Sequence, residues 1–215
     1  MSQRVRVHLF SVSRDGYGSG EGQSLDHPFG HIDPGVFHDW AFSTAFLAGD
    51  PEKPGSRGLD DYIVRDYSRN IGAEIMGRNK FSPYRGPGES ESWQGWWGDD
   101  PPFHTPVFVL THFPRTSITL SDTTFHFLNS TPEEALLMAK AAANGKDIRI
   151  GGGVATIRQF LEADLIDEMH IAVIPFDAGR GERFWNGPGD LYDRYHHEKV
   201  ASLSGVTHHF FWRRV

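Results

Sequence analysis

The chain has 215 residues, with 21 Lys and Arg against 28 Asp and Glu, a formal charge of −7. That length suits one domain able to bury about 70% of its unfolded surface, and an acidic balance with no basic block excludes non-specific nucleic-acid binding. The absence of Cys excludes a disulfide framework, thiolate catalysis, Cys-ligated zinc and iron–sulfur clusters, and fits a reducing, cytoplasmic compartment.

Residues 4–12 (RVRVHLFSV) alternate at period two and predict a first strand. Nothing in the N-terminal segment is apolar for long enough to be a signal peptide, and no run reaches the length of a membrane span. Ser13-Arg14-Asp15-Gly16 is a turn signal that opens a Gly-rich loop to Pro34. Asp33 and Pro34 predict a cap and first turn for a helix over 35–48 that ends at Gly49. Its apolar face is expected to be Val36, Trp40, Ser43 and Leu47, flanked by Phe37, Ala41 and Phe46. After a connector at 50–58, Leu59, Tyr62, Ile63 and Tyr67 recur at helical spacing and predict a helix over 58–69.

IGAEIM (71–76) predicts a short buried strand, followed by Gly77-Arg78-Asn79-Lys80. Residues 82–105 read as one long loop with Trp93, Trp96 and Trp97; its aromatic content suits a substrate-site wall with partial burial in a dimer. Strands are expected at 106–111 and 123–128, and Thr131-Pro132-Glu133-Glu134 is a capping box for a helix over 132–144. DIRI (147–150) reads as a strand, Gly151-Gly152-Gly153 opens the helix VATIRQFLEA, and 168–175 is an apolar strand. The segment 194–215 breaks at Gly205 into two antiparallel strands, with Val206, His208, Phe210 and Trp212 on one face. The order of elements predicts an α/β fold over residues 1–215: a mixed sheet with an antiparallel edge.

Three predicted strands end in groups suited to anions. Gly151 to Gly153, continuing G-G-G-V-A-T to Thr156, let a phosphate approach the backbone at a helix N-terminus. Arg78 and Lys80 stand on the first turn after a strand, where cations oppose the helix dipole unless an anion neutralises them. Thr111, His112 and Arg115 follow a third strand. Such segments beyond strand C-ends point to a nucleotide cofactor, and the cations favour NADPH over NADH. Two carboxyls are candidate proton donors: Asp15, alternatively a turn residue, and Asp39, alternatively an exposed helix residue. Trp40 is a candidate stacking surface for a flat heterocycle, or else a core residue. His196-His197 and His208-His209 are adjacent pairs on strands, each offering one ligand per side; no carboxylate spacing supports a metal site, and none is expected.

SVSRDGYGSGEG after the first strand, MGRNKF at 76–81, VFVLTHFPR at 107–115 and GGGVATIRQFLEADLIDEMHIAVIPFDAGRGERFW at 151–185 occur in that order. This resembles the dihydrofolate reductase-like superfamily, in the branch of the riboflavin-biosynthesis reductase domain, and SWQGWWGDDPPFHTPVFVLTH resembles a bacterial sub-branch with a Trp-rich loop. The resemblance implies a three-layer α/β/α mixed sheet, mostly parallel, with an antiparallel C-terminal strand pair. It implies NADPH held by Gly77, Arg78, Asn79 and neighbouring Lys80, by Thr111 and His112 at the 2′-phosphate, and by Gly151, Gly152, Gly153, Ala155 and Thr156. Ser13, Asp15, Gly16 and Tyr17 match the loop that closes over the nicotinamide. The run from Phe176 to Gly181, with Asp177, departs from the aliphatic Gly-rich run usual in relatives.

The function expected from this is NADPH-dependent reduction of a small planar heterocycle, a pterin or a ribosylamino-pyrimidine, by a homodimer. Alternatives are dihydrofolate reduction, reduction of another carbonyl or imine, and a non-catalytic NADP-binding module. A zinc deaminase half would need Cys, so the chain corresponds at most to the reductase half of a bifunctional riboflavin enzyme.

Overall fold

The computed structural model describes residues 3–48, 52, 54–84 and 92–214. In chain order these form β1 (Val5–Ser13), β2 (Tyr17–Ser19), α1 (Pro34–Phe42), α2 (Leu59–Arg65), β3 (Ile71–Gly77) and α3 (Arg78–Phe81). There follow β4 (Pro106–Leu110), β5 (Ile118–Leu120), β6 (Thr123–Leu128), α4 (Pro132–Ala142), β7 (Asp147–Ile150) and α5 (Val154–Glu162). The last are β8 (Glu168–Ile174), β9 (Glu182–Arg183), α6 (Leu191–Arg194), β10 (Tyr195–Ala201) and β11 (Thr207–Arg213). The described residues divide into two compact units, one drawn from Met1–Val7 and Asn70–Glu168, the other from His8–Arg69 and Met169–Val215.

In the first unit the start of β1, then β7, β3, β4 and β6 are successive parallel neighbours, and β5 closes the edge antiparallel to β6. Every residue of β3 is buried, as expected of a parallel strand covered on both faces. Met76, Phe81, Phe103, Val107, Val109, Phe125 and Phe127 make the core on one side. Helix α4 turns Ala135, Leu136 and Ala139 inward, and its capping box is complete. The Thr131 hydroxyl accepts from the Glu134 amide at 3.3 Å and the Glu134 carboxylate from the Thr131 amide at 3.0 Å. Thr131→Ala should therefore lower stability by about 1 kcal/mol, read as a shift in the urea midpoint.

In the second unit β10 and β11 form an antiparallel hairpin from Tyr195↔Arg213 to Ala201↔Thr207, in the order β10-β11-β8-β1. Two short strands, β2 and β9, pair antiparallel. The core contains Ile32, Phe37, Trp40, Ala41, Val64, Ala172, Ile174 and Val206. Helix α1 is shorter than its apolar pattern predicts. The Thr44 hydroxyl donates to the Ala41 carbonyl at 2.7 Å, and the Ala45 amide turns away to Ser56 at 2.9 Å. The helical ladder loses its next bond, so the chain leaves the helix at Ser43; Gly49, the expected terminator, lies outside the described residues. The buried stripe is Phe37, Trp40 and Ala41, while Val36 and Phe46 are exposed. Helix α2 likewise stops at Arg65, with i to i+3 bonds from Asp66 and Tyr67 tightening its end, and Tyr62 is exposed. Val206, just before β11, and His208 on it are buried as expected, but Trp212 is exposed and Phe211, from the opposite face, is buried. Both units together give the expected fold class: an α/β, mostly parallel sheet arrangement with an antiparallel C-terminal strand pair.

Candidate functional site

Three of the predicted anion-binding segments meet at one sheet edge of the first unit. Parallel pairing puts the C-ends of β7, β3 and β4 on the same side, with Ile75 opposite Ile150 and Gly77 opposite Leu110. Gly77, Thr111 and the Gly151–Gly153 turn therefore follow one another along that edge. The Gly77 amide donates to the Gly152 carbonyl at 2.8 Å, and the Gly151 amide to the Ile75 carbonyl at 2.8 Å.

The glycines have distinct reasons to be glycine. A Cβ on Gly77 would collide with the Thr156 hydroxyl, and a Cβ on Gly151 with the Glu74 carboxylate and with Lys80 Nζ at 2.5 Å. Gly152 has φ +97°, which side chains of L-residues avoid, and a cis peptide bond joins it to Gly153. Gly153 has ordinary extended backbone, φ −73° and ψ −162°, and nothing lies within 4 Å of its missing Cβ. It is also the N-cap of α5, where no side chain caps the helix. The space over Gly153 and the α5 amides is where an anion meets the helix dipole. Ala155 is exposed there, whereas Thr156 is buried against Gly77.

The cations are distributed differently from the expectation. Arg78 lies 5.0 Å from the Phe113 ring, Asn79 and His112 are exposed, and the Thr111 hydroxyl accepts from the Phe113 amide at 3.0 Å. Lys80 is bound to Glu74, Nζ to Oε1, at 2.9 Å. Glu74 is fully buried, and its other oxygen accepts from Arg149 Nε at 2.8 Å. Burial alone would raise the Glu74 pKa, but Arg149 and Lys80 outweigh it and hold the carboxyl below its usual range. The sequence expectations do not include Glu74, although a lone acid inside IGAEIM is a signal: a charge in an all-buried strand needs a partner.

Arg115, expected near phosphate, is instead fixed by the Trp-rich segment. Its guanidinium donates to the Trp93 carbonyl and lies 4.5 Å from the Phe127 ring. Trp93 Nε1 donates to the Phe81 carbonyl at 2.9 Å, Trp97 stacks on Phe125 at 5.9 Å and meets Phe103 edge-on at 4.7 Å. The described part of the 82–105 loop thus extends the core of its own unit, with Trp93, Trp96 and Trp97 left half-buried; residues 85–91 lie outside the described residues.

In the second unit the loop after β1 is a knot. Asp15 accepts from the Ser13 hydroxyl at 2.6 Å and from the Ala178 and Gly179 amides at 2.9 and 2.8 Å. The Tyr17 amide donates to Ser13 Oγ at 2.9 Å. Burial would raise the Asp15 pKa, but these donors together lower it. An acid so held stays ionised and is a poor proton donor. Gly16, at φ +91°, packs its Cα on the Trp185 carbonyl, where a Cβ would collide. Asp177, the departure within 176–181, pairs with the Arg14 guanidinium. Beside the knot is a cavity of about 350 Å³ bordered by Arg14, Asp15, Arg183, Trp185 and His209. Asp39 is exposed on α1. Trp40 is 6% exposed, donates to Ser11 Oγ at 3.1 Å and packs edge-on against His170 and His208. It is a core residue, with no ring face left for the substrate contact considered for it.

The family described as the RibD C-terminal domain matches residues 11–205. Among solved structures, a protein from Shewanella sp. PV-4 with a provisional assignment to riboflavin biosynthesis is 22% identical over 100% of both chains, TM-score 0.58. A pyrimidine reductase-like protein from Corynebacterium diphtheriae is 14% identical over 100% of this chain and 92% of that one, TM-score 0.53. Dihydrofolate reductase from Enterococcus faecalis, complexed with NADP(H) and RAB-propyl, is 16% identical over 74% of this chain and 84% of that one, TM-score 0.48. No curated protein matches in sequence.

Proposed function

The chain belongs to the RibD C-terminal domain family, and from that premise we propose that it is an NADPH-dependent reductase of a small heterocyclic or ribosylamino-pyrimidine substrate. The observation that carries the reading is the convergence of Gly77, Thr111 and the Gly151–Gly153 turn at one sheet edge, over the N-terminus of α5. Residues that fit the cofactor's phosphates are Gly77, Arg78 and Asn79, the Gly153–Ala155 backbone, and Thr111 with exposed His112. NADPH bound there supplies a hydride. The chain's part is to present amides and cations to the phosphates and, through the Asp15 knot, to hold the loop after β1 in one shape. Asp15 accepts hydrogen bonds in that knot and does not serve as the acid.

A specific observation favours keeping the non-catalytic NADP-binding module as a second reading: one of the two candidate acids, Asp15, is engaged by three donors. Turnover separates the two. NADPH oxidation with a ribosylamino-pyrimidine, dihydrofolate or a simple carbonyl compound should be seen with at least one of them; binding with no turnover for any favours the module. Affinity tests the cofactor itself. Charged hydrogen bonds to a 2′-phosphate are worth about 1.5–3 kcal/mol each, so NADPH should bind about tenfold or more tightly than NADH in a fluorescence titration. Equal dissociation constants would remove the roles given to Arg78 and His112.

A further inference from the structure

The first unit buries an unusual set of charges directly behind the Gly151 turn. Glu74, in the middle of β3, is 0% exposed, the Arg149 side chain on neighbouring β7 is 3% exposed, and Lys80 on α3 is 27% exposed. One carboxylate serves two cations, Oε2 toward Arg149 and Oε1 toward Lys80. The formal charge of the three is +1. The Phe103 ring lies 5.6 Å from Lys80 Nζ and 6.0 Å from the Arg149 guanidinium, so water is partly excluded. Lys80 Nζ and the Glu74 carboxylate occupy the space a Gly151 side chain would take. Such an arrangement costs desolvation energy, and a hydrophobic strand would have been the simpler solution for the fold.

Taking the dinucleotide reading as the starting point, we propose that Glu74 is a positioning residue that holds Lys80 against the Gly151 turn, so that the shared, incompletely neutralised lysine charge attracts the cofactor's diphosphate. Lys80 then acts from behind the turn and not, as its place in the sequence implies, from the solvent side of a helix start. Arg149 is the device that keeps Glu74 from cancelling Lys80: it draws on the same carboxylate. Burial lowers the Lys80 pKa, Glu74 raises it and Arg149 lowers it, with a net depression. The titratable groups facing Lys80 are thus Glu74 from β3 and Arg149 from β7, with Arg78 beside it on α3.

The test compares wild type with Lys80→Met and Lys80→Arg, using NADPH and inorganic pyrophosphate as separate probes. Lys80→Met leaves the Glu74–Arg149 pair intact and should fold, as circular dichroism and a urea melt will report. The proposal expects it to bind both probes about tenfold or more weakly and to show a flatter dependence of affinity on salt. Lys80→Arg should restore affinity. Wild-type affinity should also fall at alkaline pH, beginning below the ordinary lysine range of about 10.4, and Lys80→Arg should remove that fall; a merely structural lysine predicts neither effect. A folded Lys80→Met that binds both probes like wild type overturns the proposal and leaves the cofactor reading standing. Wild type that binds pyrophosphate through Lys80 but not NADPH upholds the charged floor and removes the cofactor reading.

Discussion

Gly153→Val is expected to leave the protein folded and to weaken NADPH binding by about a hundredfold or more. Residue 153 has φ −73° and ψ −162°, an extended conformation that valine adopts readily, and its Cβ would meet nothing within 4 Å. Within the protein the substitution is therefore close to neutral. Its methyl groups enter the open space at the N-terminus of α5, between the helix amides and any bound phosphate. Losing two charge-assisted hydrogen bonds at about 1.5–3 kcal/mol each gives the expected factor. The neighbouring glycines cannot serve this purpose. A side chain at Gly152 would be strained at φ +97°, and one at Gly151 would strike Glu74 and Lys80, so either variant confounds folding with binding. A folded Gly153→Val with the wild-type dissociation constant, measured by fluorescence titration beside a urea melt, would remove the anion site from the α5 N-terminus.

The sequence made the strand–glycine–helix segment readable because each signal there is local. A short strand, glycines and a capless helix start stand consecutively in the chain, and parallel pairing does the rest. What stayed hidden depends on contacts between distant segments. The end of α1 is set by Ser56, whose carbonyl takes the Ala45 amide; the helical spacing of residues 35–48 says nothing about that. Trp40 reads equally well as a stacking platform or a core residue until Ser11 and the two histidines beside it are known. Arg115 and Lys80 look like free surface cations, and only the fold supplies Trp93 and Glu74 as their partners. The motif suggests that all three glycines make room for a ligand, whereas Gly151 answers to the protein's own interior and Gly152 to its backbone conformation.

Acid should destabilise the second unit well before its carboxylates titrate. The Leu9 amide donates to His170 Nδ1 at 3.2 Å, which makes that nitrogen an acceptor and places the imidazole proton on Nε2. His170 Nε2 then donates to His208 Nδ1 at 3.0 Å, and His208 Nε2 to Asp60 Oδ1 at 2.8 Å, while the Ser202 hydroxyl donates to the other Asp60 oxygen at 2.8 Å. A second proton on His170 would set donor against donor at Leu9. Burial first, then repulsion by His208, His8 and His209, holds the His170 pKa well below the usual value. Burial lowers that of His208 against the pull of Asp60, and His209 is lowered to about 4 by burial, His197 and nearby Lys199 and His208. Each group is neutral in the folded protein and protonates near 6.5 when unfolded, so the unfolded chain binds more protons as the pH drops and stability is lost. The loss begins at about pH 6.5 and runs to the folded values, on the order of 1 kcal/mol per pH unit for each fully buried histidine. Asp15 and Glu74, both with lowered pKa values, lose their contributions only below the ordinary carboxylate range of about 4, which leaves pH 6.5 to 4.5 to the histidines. Urea melts should give a constant midpoint at pH 7–8 and a steep decline toward pH 5, and nitrogen-15 spectra just below pH 6.5 should still show His170 neutral with the proton on Nε2. A flat midpoint from pH 7 to 5, or a protonated His170 in the folded protein, would mean that this buried chain of hydrogen bonds does not hold the second unit together.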